Sequence, residues 1–159
     1  MIHYLIVFLI SMVPLIELRG AIPYGLALAE QFALSPLLIY IVAIIGNCLP
    51  VPFILFFIRK ILAWMQVCRV KLFNKVSSWV VDKGKRASAK ISKFEFFGLL
   101  LFVAIPLPGT GAWTGALGAA LLNMRMRRAL PSIFLGVLIA GLIMTLASYG
   151  VVGALSFLN

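Results

Sequence analysis

Apolar residues gather in four stretches, Ile2 to Phe32, Pro36 to Ile58, Phe96 to Leu122 and Pro131 to Leu158. A helix that crosses the hydrocarbon core of a bilayer needs about 20 apolar residues. The second and fourth stretches fit that length and predict plain transmembrane helices. The first and third are longer, and each is interrupted near its middle. Pro14, Glu17, Arg19, Gly20, Pro23 and Gly25 break the first, and Pro106, Pro108, Gly109 and Gly111 break the third. Each half then has roughly 12–15 residues and a length of about 20 Å, enough to reach the membrane midplane and return. Irregular backbone at that depth is tolerated only where protein buries it or where it lines a cavity. The pattern therefore predicts re-entrant helical hairpins at 2–32 and 96–122, and spanning helices at 36–58 and 131–158.

The charges agree with this reading of the second hairpin. Ten basic residues lie between Arg59 and Lys93, with Asp82 as the acid among them, and Arg125, Arg127 and Arg128 form a second cluster. Basic loops favour the cytoplasmic side. A full crossing at 96–122 would put the two clusters on opposite sides, whereas a re-entrant hairpin keeps both inside. Both termini are then expected outside. Within 59–95, Leu72, Phe73, Val76, Trp79 and Val80 share a helical face, with Lys71, Asn74, Lys75 and Ser78 elsewhere. That is a basic amphipathic helix, expected to lie on anionic inner-leaflet lipids.

An internal repeat completes the expected architecture. Pro14-Leu15 aligns with Pro106-Leu107, Gly20 with Gly111, Pro36 with Pro131 and Gly46 with Gly141, at offsets of 91 to 95 residues. One membrane crossing separates the two hairpins, so they enter from opposite faces. The expected fold is all-α and integral to the membrane. It is one domain over 1–159, built as an inverted repeat of hairpin plus transmembrane helix in 1–58 and 96–158. Such repeats are common in secondary transporters, with the site at the midplane. Four ordinary helices kinked by proline are the competing arrangement.

Composition excludes several function classes. Hydrophobic residues make up 64% of the 159 residues and charged residues 11%, with a mean hydropathy of +1.15. Soluble domains carry about 25% charged residues, so lipid must be part of this chain's solvent. The net charge of +10 is accounted for by membrane orientation, and no nucleic-acid partner is expected. Met1-Ile2-His3 lacks the basic start of a signal peptide, so residues 1–30 are treated as mature structure. His3, Cys48 and Cys68 are too scattered to form a metal-ligand cluster. No Ser-His-Asp or Cys-His set is available for hydrolysis, and no P-loop pattern for ATP. An enzyme is therefore not expected, no cofactor is expected, and uphill transport would have to draw on H+ or Na+.

The candidate chemistry lies at the two breaks. Glu17 and Arg19 are ionisable groups within an apolar stretch, which costs at least about 2.5–3.5 kcal/mol at the bilayer centre. Such groups need a polar cavity or a partner. Glu17 is the candidate proton or cation site and Arg19 the candidate anion site, and a mutual ion pair is the structural alternative. Pro23 belongs to the same motif. In the second break, Pro106 and Pro108 free backbone carbonyls, and Gly109 and Gly111 allow a tight turn. Thr110 and Thr114 offer hydroxyls. The helix that returns through Trp113 presents free N–H groups and a positive dipole end. Asn47 could add a hydrogen bond from the first spanning helix.

The motifs Glu17-Leu18-Arg19-Gly20-Ala21-Ile22-Pro23 and Pro106-Leu107-Pro108-Gly109-Thr110-Gly111-Ala112-Trp113-Thr114-Gly115 resemble the small multidrug export proteins. That family looks like a compact relative of the DedA/VTT membrane proteins. The resemblance implies paired re-entrant hairpins and membrane transport, with lipids among the substrates of the wider group. Arg19 stands where a DedA-like second acidic residue is expected, and the second motif lacks that group's arginine. Together these readings anticipate a multi-pass protein of the cell membrane. It would export or flip a small amphiphilic or lipid-linked substrate, phosphate-bearing ones included, between the hairpin tips. A homodimer is the expected partner arrangement, because two full spans barely enclose a cavity. A non-transporting scaffold or a membrane enzyme is the competing function.

Overall fold

The computed structural model describes residues 1–29, 31–67, 92–107 and 109–158. Among them every regular element is helical: α1 (Ile2–Met12), α2 (Glu17–Ala27), α3 (Pro36–Cys48), α4 (Pro50–Val67), α5 (Ser92–Ala104), α6 (Ala112–Leu121) and α7 (Met126–Leu158). Most of the expected amphipathic segment at 59–95 lies outside the described residues, as does Pro108.

Local chemistry explains where the helices stop. Proline disfavours helical backbone in the residue before it. Val13, which precedes Pro14, is extended at φ −72°, ψ 127° and ends α1. Ser35, which precedes Pro36, is extended at φ −74°, ψ 122°. Pro36 then occupies the first helical position of α3, where a missing N–H costs nothing. Leu49 keeps helical backbone between α3 and α4, so Pro36–Ile61 forms one continuous apolar helix. Met126–Gly150 forms the other helix long and apolar enough to cross a membrane.

Two boundaries differ from the sequence reading. Of the residues expected to break the first stretch, Glu17, Arg19, Gly20, Pro23 and Gly25 do not belong to the break, since all lie in α2, which Glu17 opens. The break is confined to Val13–Ile16. A helix can carry an internal proline when one lost hydrogen bond is the whole cost, and α2 does so. The last helix begins at Met126 rather than Pro131, because the amides of Arg128 and Ala129 both close onto the carbonyl of Arg125. Pro131 therefore sits inside α7.

The packing follows a repeated order. In the first half, α1 packs on α3, and in the second, α5 packs on α7. The second helix of each interrupted stretch also reaches the other half: α2 packs on α7 as well as on α1 and α3, and α6 packs chiefly on α4. Side-chain hydrogen bonds tie these layers together. The Tyr40 hydroxyl donates to Leu138 O on α7 at 2.9 Å, and the Ser132 hydroxyl donates to Phe96 O on α5 at 2.6 Å. Arg59 of α4 donates to Met124 O, at the turn between α6 and α7. Large apolar residues such as Leu9, Leu37, Phe53, Phe57, Leu101, Leu142 and Leu146 point outward. An outer surface of that kind, on helices of this length, is compatible with a membrane protein.

Close helix contact depends on small residues. A Cβ at Gly46 would lie 2.6 Å from the carbonyl oxygen of Phe8 and closer still to the buried hydroxyl of Ser11. The first obstacle is backbone and cannot turn aside. Gly46→Ala is therefore expected to push α1 from α3, at the overpacking cost of about 1–3 kcal/mol. Gly150→Ala, where a Cβ meets nothing within 4 Å, is expected to raise stability slightly, because alanine is the better helix former. Thermal unfolding of the two variants in the same detergent is the check.

Candidate functional site

The two breaks meet. Glu17 opens α2, and its carboxylate reaches across to the start of α6. Oε2 accepts the Ala112 N–H at 3.3 Å and Oε1 accepts the Trp113 N–H at 3.2 Å. The first N–H groups of a helix have no intrahelical partner. A helix usually covers them with an oxygen from its own N-cap side chain. Here the N-cap is Gly111, which has none. Glu17 supplies the missing acceptor from a position 95 residues earlier. The contact is charge-matched as well, because a carboxylate is favoured at the positive end of the helix dipole.

A second contact runs in the opposite direction. The indole N–H of Trp113 donates to the carbonyl of Met12 at 3.2 Å. Met12 is the last residue of α1, whose final carbonyls lack intrahelical donors for the same geometric reason. Each break thus satisfies orphan backbone groups of the other. The backbone around this junction is strained. Leu15 has φ 78° and Glu17 φ 49°, both positive without being glycine. Non-glycine residues in that region cost of order 1–3 kcal/mol each and persist only where surrounding contacts hold them. The Glu17 carboxylate is itself such a contact, since the residue is only 6% exposed.

The remaining candidates divide into those at the junction and those near it. Gly111 is part of the junction: its φ is 155°, and a Cβ there would overlap the Glu17 carboxylate, 2.6 Å from Cδ. Arg19 is half-buried, but the hydrogen bonds of Glu17 go to Ala112 and Trp113 and not to Arg19. Thr110 folds back on its own loop. Its hydroxyl lies 2.7 Å from Ile105 O and 2.9 Å from Leu107 O, donating to one at a time, and it accepts the Leu107 N–H at 3.1 Å. Thr114 donates to Gly111 O at 3.3 Å. Pro106 and Gly109 shape the turn, with Gly109 exposed at φ 87°. Pro23 stands six residues into α2, about 9 Å along the helix from Glu17. Asn47 is 1% exposed near the end of α3, with its Oδ1 unpartnered.

Sequence reasoning did not single out Met12 or Ala112. Both act through backbone groups, so their side chains carry no trace of the role. The available clue was positional: a glycine N-cap leaves a helix start in need of an outside acceptor, and Glu17, directly after the opposing break, was the acid at hand.

A family model described as "putative small multi-drug export protein" matches residues 17–143. The match begins at Glu17 and runs through the second break into α7. No curated protein and no solved structure matches the chain.

Proposed function

The chain belongs to the small multi-drug export protein family, and from this we propose that it is an ion-coupled membrane transporter whose moving junction is the Glu17 contact with the start of α6. The observation that carries the reading is the carboxylate seated on the Ala112 and Trp113 amides. This contact joins the two interrupted stretches by two hydrogen bonds and one charge. A proton or cation taken up by Glu17 competes with those amides for the same oxygens, so ion binding weakens the tie between the stretches. Arg19, whose side chain makes no hydrogen bond to Glu17, is then the cation nearest in sequence to the junction. The coupling ion is H+ or Na+, and the substrate a small amphiphile or a lipid-linked molecule. No chemical conversion is part of the proposal.

The same reading assigns an inverted repeat. The crossed packing of α2 on α7 and α6 on α4 supports it, because two hairpins that enter from opposite faces would meet tip to tip. Both basic clusters then face the cytoplasm, both termini face outward, and two copies of the chain complete the cavity. Two measurements test this. In a protein lacking Cys48 and Cys68, a single cysteine at His3 is expected to react with a membrane-impermeant maleimide from outside the cell, and one at Arg127 only after permeabilisation. Labelling of both positions from the same side would overturn the topology. In proteoliposomes, substrate flux is expected to depend on an imposed H+ or Na+ gradient, and flux indifferent to both would overturn the coupling.

A further inference from the structure

The second interrupted stretch holds a cavity that the junction does not use. Near the break its two helices touch: a Cβ at Gly115 of α6 would lie 2.6 Å from Val103 of α5. Toward the base they part. At Gly98 of α5 and Gly118 of α6 a Cβ would meet nothing within 4 Å. The wedge between them is a cavity of about 360 Å³ lined by Gly98, Phe102, Gly118 and other apolar residues, with Glu95 and Thr114 as its polar side chains. Its size falls in the ordinary range of small-molecule sites, about 300–1,000 Å³.

Among the described residues the lining is apolar apart from the Thr114 hydroxyl and one carboxylate, and it includes no Lys or Arg. A carboxylate in an apolar setting favours a cation over an anion, and an aromatic ring such as Phe102 adds to that preference. We propose that this cavity binds a lipophilic monocation, its apolar body replacing the side chains that Gly98 and Gly118 lack and its charge answered by Glu95. The inference deepens the transporter reading and rests on it for the claim that the bound cation is cargo. Thr114 lines the cavity and also hydrogen-bonds to Gly111, which places one wall of the cavity directly against the Glu17 junction. A cation that filled the wedge would press on the helix that Glu17 holds.

The test is equilibrium binding of tetraphenylphosphonium to the full chain in nanodiscs of zwitterionic lipid. Tetraphenylborate, the anion of matching shape, is the charge control. Saturable phosphonium binding is expected, weakened about tenfold or more by Glu95→Gln, the scale of one lost charge-assisted contact. Gly118→Leu adds bulk to the wedge from a position where a Cβ meets nothing within 4 Å and is expected to remove the binding. Gly98→Leu does the same from the opposite wall and decides the matter if Gly118→Leu fails to fold. Gly150→Leu, which also meets open space but lies outside the cavity, is expected to bind normally. Phosphonium binding that survives both cavity-filling substitutions would overturn the site. Borate binding as tight as phosphonium binding, and equally sensitive to Gly118→Leu, would overturn the choice of a cation. Binding with all the expected sensitivities, in a protein that moves no phosphonium across proteoliposomes, would uphold the site and overturn the transporter reading.

Discussion

Glu17→Gln is expected to leave the protein folded in the membrane and to reduce ion-coupled flux to background. Glutamine keeps the size of the side chain, and its carbonyl can still accept one of the two N–H groups at the start of α6. Its amide presents hydrogens to the other, donor against donor. A hydrogen bond to a charged group contributes about 1.5–3 kcal/mol, so the loss is felt but is smaller than the stability of a typical domain. Ionisation is lost altogether, and with it the exchange of the Ala112 and Trp113 amides for a proton or cation. Flux in proteoliposomes, normalised to the amount of protein recovered from the membrane, is the measurement. The exchanged pair Glu17→Arg with Arg19→Glu sharpens it. An ion pair that served only to neutralise itself would tolerate the exchange. Glu17 instead faces two N–H donors, and an arginine in its place would set a cation against them at the positive end of a helix. The exchanged protein is therefore expected to stay inactive. Full flux in either protein would remove Glu17 from the coupling mechanism.

The sequence reading located the breaks because backbone chemistry announces them. Pro14 sets Val13 into extended backbone, and Gly111 adopts a φ that other residues resist. The two long apolar helices were equally legible, from length and composition alone. Pro23 misled because proline is read as a breaker, whereas α2 accommodates it at the loss of one bond. Thr110 and Thr114 were read as donors to a substrate, yet hydroxyls beside unsatisfied carbonyls bond locally first, and both do. The partner of Glu17 was hidden for a deeper reason. Arg19 is its obvious match by charge, but two residues apart along a helix puts side chains on different faces. The acceptor found backbone donors instead, which no residue type encodes. The Arg59 contact with Met124 O shows the same limit: a cluster read as an orientation device also supplies a packing contact.

Gly111→Ala is expected to reproduce the loss of flux predicted for Glu17→Gln and to lower stability more. Two effects combine at this position. A backbone at φ 155°, ψ −169° lies in a region that is essentially glycine-only and costs other residues about 1–3 kcal/mol. The added Cβ would also sit 2.6 Å from Cδ and 2.8 Å from Oε1 of Glu17. That carboxylate is no free end able to swing away, because it is buried and bonded to two amides. Either the start of α6 moves or the Glu17 contact opens, and both detach the two breaks. For a chain of this size each kcal/mol lowers the unfolding midpoint by about 2–4 °C, so the drop is readily measured. Gly109→Ala is the control. Its φ of 87° is also positive, but a Cβ there meets nothing within 4 Å, so only backbone strain is added and flux is expected to persist. The decisive comparison adds Glu17→Asp, which shortens the side chain by one methylene and withdraws the carboxylate from residue 111. Alone it should weaken the junction, but beside Gly111→Ala it should recover part of the lost stability. A double-mutant cycle between the two positions is expected to give a coupling of about 0.5–3 kcal/mol, the range for residues in contact. Additive effects would mean that Gly111 matters for its backbone alone, and that the Glu17 carboxylate is not what joins the two halves of the molecule.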